Sequence, residues 1–122
     1  MHGSDMSTAD KLLSDILKER GYVEDFHKVL ASEDPKFLEH YSEMWKYIIK
    51  KNSLGKKTTS LVRLAVVTAV GNETAIRHSM DMAAGFGASP KEILDTLKIV
   101  FMFTGVPTLV TALSIYNQRF ES

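Results

Sequence analysis

The chain has 122 residues, of which 44% are apolar and 25% are charged, and this composition is typical of one folded globular domain. Its 15 basic and 15 acidic side chains cancel, so the chain lacks the long-range positive field that draws proteins onto nucleic acid or anionic lipid. It contains no cysteine, which excludes disulfides, thiolate metal sites and thiol redox chemistry within it.

The N-terminus carries no targeting pattern. The first four residues, MHGS, lack the basic and apolar regions of a signal peptide, and no stretch reaches the ~18 apolar residues of a membrane span. We therefore expect a cytoplasmic protein with neither a membrane nor a nucleic-acid partner. The predicted organisation is a single domain over residues 9–122, preceded by residues 1–8 that are disordered or remain from cloning.

Helices are predicted along the whole chain, because apolar residues recur at three- and four-residue spacings and strict alternation is absent. The fold class is therefore all-α. Three of the helices fall in the first half. The first is capped by Ser7 or Thr8 and exits through Gly21, the second runs from about Tyr22 to Ala31, and the third opens at Asp34 and Pro35 and ends near residues 52–55.

The fourth predicted helix starts within residues 57–59 and ends at Val70. Between Leu61 and Val70 the only polar residues are Arg63 and Thr68. A helix that is apolar on all sides is normally buried on all sides. We therefore expect this helix to lie at the centre of a helical bundle.

Two helix starts in the second half have clear capping residues. Asn72 is a good N-cap for a fifth helix, which continues to about Phe86. Ser89 is followed by Pro90 at the first helical position and by Glu92, which is placed to return the hydrogen bond of the cap. The sixth helix is therefore predicted to begin at Pro90.

The apolar content of the last helices predicts self-association. The break Gly105-Val106-Pro107 separates the sixth helix from a seventh, which runs from Pro107 to about Arg119. Domains of this size bury only about 60 to 70% of the surface that their unfolded chains expose. The apolar faces of the fourth, sixth and seventh helices therefore cannot all be covered within one chain. Exposed apolar surface of this extent usually becomes a subunit interface, so we expect a homo-oligomer.

An ordered set of motifs in the second half carries a family resemblance. It consists of the glycine-ended fourth helix, the spacing from Ala83 to Gly87, the cap Gly-Ala-Ser-Pro-x-Glu-Ile at residues 87–93 and the break Gly-Val-Pro at residues 105–107. With these motifs, the region from about Phe37 to Tyr116 resembles the carboxymuconolactone decarboxylase and AhpD-like alkylhydroperoxidase family. The resemblance implies a bundle of six to seven helices, assembled as a trimer or hexamer.

The resemblance also implies positions for a thiol peroxidase site. In the peroxidase branch, a thiolate attacks the peroxide and a second thiol resolves the product, while a histidine and a glutamate move protons. The two cysteine positions fall on Asn72 and Ala75, the histidine position on Ser79 and the glutamate position on Ser60. All four family residues are replaced, so we do not expect thiol peroxidase activity.

His78 and Arg63 remain as candidate catalytic residues for lactone or decarboxylase chemistry, which in this family does not use cysteines. The decarboxylase branch nevertheless has its histidine at the position of Ser79, and His78 is displaced from it by about 100° around the helix. Only a deletion or a π-type turn would bring His78 there. Alternatively, His78 binds Asp81 on the helix surface. Arg63 then pairs with Glu73, Asp81 or a carboxylate of another subunit.

Two hypotheses for the function follow. The first is a small-molecule pocket between the fourth and fifth helices with lactone or decarboxylase-type lyase chemistry. The alternative is a non-catalytic oligomeric binding or scaffold protein. An enclosed void reached by His78 and Arg63 would favour the first, and filling of that space by Ala75, Ser79 and Met82 would favour the second. No cofactor is implied, and the four histidines are too scattered in sequence to predict a metal site.

Overall fold

The computed structural model describes residues 7–120, which fold into α-helices without a strand, so the all-α prediction is confirmed. Of the predicted N-terminal segment, residues 1–6 lie outside the described residues, while Ser7 and Thr8 belong to the start of the first helix. Seven helices lie in the described range: α1 (Thr8–Arg20), α2 (Asp25–Glu33), α3 (Pro35–Lys50), α4 (Lys56–Val70), α5 (Glu73–Gly85), α6 (Pro90–Thr104) and α7 (Val106–Phe120).

The helices form two compact units, an N-terminal unit within Met1–Lys51 and a C-terminal unit within Asn52–Ser122. In the N-terminal unit, α1, α2 and α3 pack around a small core of Ile16, Ala31 and Leu38. The ends of α1 follow from local chemistry. Ser7 Oγ accepts a hydrogen bond from the backbone of Asp10 at 3.0 Å, and the left-handed Gly21, with φ of 83°, ends the helix.

The second helix begins later than the sequence indicates. It starts at Asp25 and not near Tyr22, because residues 22–24 are drawn into side-chain contacts. The Tyr22 hydroxyl accepts a hydrogen bond from Arg20 at 2.9 Å, and the Glu24 backbone N–H donates to the His27 ring at 3.0 Å. The start of α3 agrees with the sequence, since Asp34 accepts from the backbone of Phe37 at 3.1 Å. Its end, at Lys50, comes slightly before the predicted stop.

The C-terminal unit contains the larger core and the motifs that carry the family resemblance. The turn at Gly71 and Asn72 joins α4 to α5, with Gly71 left-handed and the Asn72 side chain accepting from the backbone of Ala75 at 2.9 Å. Packing of α4, α5, α6 and α7 against one another buries one continuous cluster. Its buried members are Leu64, Ile76, Met80, Ala83, Ala88, Ile93, Leu97, Ala112 and Ile115.

The predicted capping box of α6 is present. Ser89 Oγ accepts from the backbone N–H of Glu92 at 3.0 Å, and the Glu92 carboxylate accepts from the backbone N–H of Ser89 at 2.9 Å. Glu92 also forms an ion pair with Lys57 at 3.0 Å. The Ser89 N–H and then the Lys57 ammonium lower the pKa of the Glu92 carboxyl.

The expectation that α4 is buried on nearly all sides is wrong for this chain. Its buried side carries Ser60, Leu64 and Thr68, whereas Val62, Val66 and Val70 are 49%, 57% and 76% exposed. The composition of a helix shows how apolar it is, but neighbouring helices decide which side is covered. Here α5, α6 and α7 pack against α4, and its buried residues include the hydroxyl residues Thr59, Ser60 and Thr68. The valines form an outward stripe.

Within residues 7–120, none of the helices combines the length and the apolar character that crossing a membrane requires.

Candidate functional site

The four positions at which the family resemblance implies reactive groups occupy different environments. Asn72 is the exposed N-cap of α5, and Ala75 is half-buried one turn further on. Ser60 on α4 is buried, and Ser79 on α5 is 0% exposed. The positions of the implied glutamate and histidine are thus core positions in this chain, occupied by small hydroxyl side chains.

Ser79 is buried without a partner for its hydroxyl. Its Oγ forms no hydrogen bond among the described residues, and the same is true of Oγ1 of Thr68 on α4. Ser79 shares the inward side of α5 with Ile76, Met80 and Ala83, all of them 0% exposed. A hydroxyl is not ionised at neutral pH, so Ser79 and Ser60 offer no general base in the way that the implied histidine and glutamate do.

His78 does not take the place of Ser79. The helix α5 is regularly α-helical from Glu73 to Gly85, so the π-type turn that would rotate His78 inward does not occur. His78 is half-buried, and it precedes Met82 by one helical turn.

Arg63 reaches from α4 to α5. It is half-buried, and its Nη1 lies 2.8 Å from the Met82 sulfur, which is only a weak acceptor. Met82 therefore occupies space beside the guanidinium in the contact between α4 and α5. Two carboxylates that the sequence offers as partners form ion pairs elsewhere, Glu73 with Arg77 at 3.0 Å and Asp81 with Arg119 at 2.8 Å.

One side of α5 is solvated, since Glu73, Arg77 and Asp81 are exposed. Two of these residues connect α5 to α7. Arg77 donates to Gln118 at 2.6 Å, and Asp81 accepts from Arg119. A shallow cavity of about 170 Å³ lies among these same groups, with Met80 and Ile115 beneath them.

A larger cavity, of about 340 Å³, lies in the N-terminal unit among α1, α2 and α3. Arg20, His27 and Trp45 line it, and sequence reasoning assigned no role to this group. Neither Arg63 nor His78 lines this cavity or the smaller one. In the part of the chain that the structure describes, no three histidine, aspartate or glutamate side chains are grouped to hold a metal ion.

Comparison with known proteins identifies the family. The model of the carboxymuconolactone decarboxylase family matches residues 35–118, more than half of the chain. The chain belongs to this family. The resemblance drawn from the motifs is thereby confirmed, and the absence of cysteine makes this chain a cysteine-less member of the carboxymuconolactone decarboxylase family.

Two similar proteins are themselves described as uncharacterized. Uncharacterized protein MJ1511 of Methanocaldococcus jannaschii is 31% identical over 85 residues, which cover 70% of this chain and 79% of that protein. Uncharacterized protein MJ0742 of the same organism is 29% identical over 88 residues, covering 66% of this chain and 85% of that protein. No solved structure matches the chain significantly. The family match begins at Pro35, the first residue of α3, so α1 and α2 precede the matched segment.

Proposed function

We propose that this member of the carboxymuconolactone decarboxylase family is a non-catalytic protein that assembles with copies of itself, as a trimer or hexamer. The observation that carries the proposal is the orientation of α4. Three of its four valines, Val62, Val66 and Val70, face outward, while the hydroxyl residues Ser60 and Thr68 are buried. A chain that functions alone gains nothing from this arrangement, since valine is the more favourable residue inside and serine the more favourable one outside.

Exposed apolar side chains also occur on two other helices of the C-terminal unit. Met102 and Phe103 at the end of α6 are 73% and 87% exposed, and Val106 and Val110 on α7 are 60% and 62% exposed. Contiguous apolar surfaces on small proteins usually mark an interface, and closed assemblies of identical chains are the commonest solution. A second copy of the chain is therefore the proposed occupant of this surface.

The environment of the family site supports the absence of catalysis. Peroxide reduction by the family's route needs two thiols, and the chain has none. The position of the implied histidine is packed into the core as Ser79, and the Arg63 guanidinium contacts the Met82 thioether. Side chains of Ser79 and Met82 in the contact between α4 and α5 support the hypothesis of a non-catalytic scaffold, which requires that space to be filled.

Sedimentation velocity over a range of protein concentrations tests the assembly. We expect a discrete trimer or hexamer for the unchanged protein and dissociation of Val66→Asp, because a buried unpaired carboxylate is costly. Val29→Asp on α2 is the matched control, since Val29 is 58% exposed and Val66 is 57% exposed. It should retain the assembly. A monomer at all concentrations, or equal dissociation of both variants, would contradict the proposal.

A second candidate function is the lyase chemistry of the family. One observation favours it: Arg63 contacts Met82, which follows His78 by one turn of α5, so the cation and the imidazole belong to the same side of the contact between the helices. The test is decarboxylation of a carboxylated muconolactone, with His40→Ala on α3 as a control for loss of an exposed histidine. Turnover that disappears in both His78→Ala and Arg63→Ala, but not in the control, would replace the non-catalytic proposal.

A further inference from the structure

The larger cavity has a volume in the range of small-molecule sites, and all of its lining residues belong to the N-terminal unit. Its walls include the apolar side chains of Leu12, Ile16 and Trp45, and Arg20 and His27 supply polar groups. Most of the lining precedes residue 35, outside the segment that matches the family model. Trp45 and the other lining residues of α3 lie within that segment, so membership of the family accounts for only part of the cavity.

Arg20 is a buried cation with an unused donor. Its side chain is 8% exposed, and its Nε has no hydrogen-bond partner among the described residues. Its Cζ lies 5.0 Å from the centre of the Trp45 ring, and its Nη2 donates to the Tyr22 hydroxyl at 2.9 Å. The nearest carboxylate, Glu24, is 4.0 Å away, at the outer limit of an ion pair. The buried guanidinium therefore has no close carboxylate, and its Nε has no acceptor.

His27 faces donors at both ring nitrogens. The Glu24 backbone N–H donates to Nδ1 at 3.0 Å, while Arg20 Nη1 lies 3.0 Å from Nε2. Burial first, and then the Arg20 charge, lower the pKa of His27 despite the opposing charge of Glu24, so the ring is neutral at pH 7. A neutral imidazole has one acceptor nitrogen and one N–H, and guanidinium has no acceptor. One donor therefore meets another donor in either tautomer.

Both observations describe the same deficiency, which is a shortage of hydrogen-bond acceptors at Arg20 and His27. Glu19, a further carboxylate of the lining, forms an ion pair with Lys50 instead. With Nδ1 bound to the backbone, Nε2 carries its proton beside the Arg20 N–H groups. A ligand atom that accepts from both would remove the conflict, and a carboxylate has two oxygens that match an arginine fork. Its negative charge would also compensate the buried guanidinium.

The rim of the cavity limits the charge of such a ligand. Lys11 and Lys46 stand there beside the carboxylates Asp15, Glu39 and Glu43. Since acidic groups outnumber basic ones at the rim, a ligand with two or more negative charges would be repelled. The walls of aromatic and aliphatic side chains favour an apolar body.

From this geometry we propose that the N-terminal unit binds a small organic monocarboxylate with a flat apolar body. The carboxylate accepts hydrogen bonds from Arg20 and from Nε2 of His27, and the apolar body lies against Trp45 and Ile16. The site is independent of the proposed assembly through the C-terminal unit.

The test uses benzoate as the probe and benzamide as its neutral counterpart of the same shape. Trp45 is the only tryptophan of the chain, so its fluorescence reports directly on this cavity. We expect a saturable change with benzoate and at least tenfold weaker binding of benzamide. In a ¹⁵N spectrum of the imidazole groups, the Nε2 signal of His27 should shift with benzoate.

Three variants separate the site from non-specific binding. Arg20→Lys keeps a positive charge but removes Nε and the fork, so benzoate binding should weaken at least tenfold. Glu43→Gln removes an exposed rim charge and should strengthen benzoate binding about twofold at low salt. Arg119→Lys, in the C-terminal unit, should change nothing.

If Arg20→Lys fails to fold, Glu43→Gln still tests the proposal. It should bind benzoate more tightly, and a loss of structure cannot increase the affinity for benzoate. Benzoate without a saturable effect on Trp45 would overturn the proposal and would mean that water alone supplies the missing acceptor. Equal binding of benzoate and benzamide would overturn it as well, as would a folded Arg20→Lys with unchanged affinity.

Discussion

Three threonines of the C-terminal unit, Thr68, Thr96 and Thr104, differ in how their hydroxyls are bonded. Thr96 and Thr104 on α6 each donate to the backbone carbonyl four residues earlier, at 2.9 Å, which is the usual solution for a hydroxyl inside a helix. Thr68 is 1% exposed, and its hydroxyl has no partner among the described residues. A buried hydroxyl without a hydrogen bond loses its hydration and gains nothing in return.

Thr68→Val should therefore stabilise the protein. The substitution keeps the shape of the side chain and removes the unsatisfied group, so we expect the free energy of unfolding to rise by about 1 kcal/mol. Urea denaturation with an unchanged m-value measures it. Thr96→Val is the control and should not stabilise, because it removes a hydrogen bond that exists. A loss of stability in Thr68→Val would mean that its hydroxyl does have a partner.

The buried His27 should make the free energy of unfolding fall at acidic pH. Burial and Arg20 lower its pKa below the ordinary 6.5, so the unfolded chain takes up a proton at a higher pH than the folded chain does. The free energy of unfolding should therefore fall as the pH drops below about 6.5. The loss is about 1.4 kcal/mol for each unit by which the pKa is lowered.

Denaturation curves at pH 7, 6 and 5.5 measure this dependence. His27→Gln should flatten it, whereas His40→Gln, at an exposed position of α3, should leave it as it is. If the pH dependence of the His27→Gln protein equals that of the unchanged protein, the imidazole is not held neutral by its surroundings.

At the scale of the helix, the first residue of a helix is predictable wherever the capping side chains are close to it in sequence. Ser89, Pro90 and Glu92 specify the start of α6 without help from the rest of the chain, and Asp34 with Pro35 does the same for α3. The start of α2 was misplaced because its N-cap depends on the His27 ring, which is held in turn by Arg20 on α1. When an N-cap depends on a side chain of another helix, the sequence around the cap contains no capping motif.

The direction in which a helix faces was less predictable than its bounds. The stretch of α4 from Leu61 to Val70 is apolar apart from Arg63 and Thr68, and this indicated burial on nearly all sides. In the structure Val62, Val66 and Val70, four residues apart, lie on the uncovered side, whereas Val67 packs against the core. Periodicity identifies a stripe, but it does not say whether the stripe meets the same chain or another one. This is the physical reason why the sequence could not locate the exposed surface.

At the scale of the whole molecule, the sequence located one candidate site and missed another. The resemblance to the family assigns the positions Ser60 and Ser79, counted along the chain without gaps from Gly71. The cavity in the N-terminal unit could not be found in this way, because Arg20, His27 and Trp45 come from three helices and share no spacing. Only the packing of those helices brings a buried cation, a neutral imidazole and an indole together.

The exposed apolar surface has a consequence for thermal stability that distinguishes an assembled protein from a monomer. If copies of the chain cover this surface, association stabilises the folded state and Tm rises with protein concentration. Phe103, which is 87% exposed in the single chain, should then matter far more than an ordinary surface residue.

Calorimetry over a hundredfold range of concentration should show a rising Tm for the unchanged protein and a lower, nearly constant Tm for Phe103→Ser. Tyr47→Ser on α3 is the control, since Tyr47 is 70% exposed but belongs to the N-terminal unit. It should keep the concentration dependence. In a monomer both substitutions would change stability by no more than about 0.5 kcal/mol, and Tm would not vary with concentration. That result would mean that the surface formed by α4, α6 and α7 is open in solution.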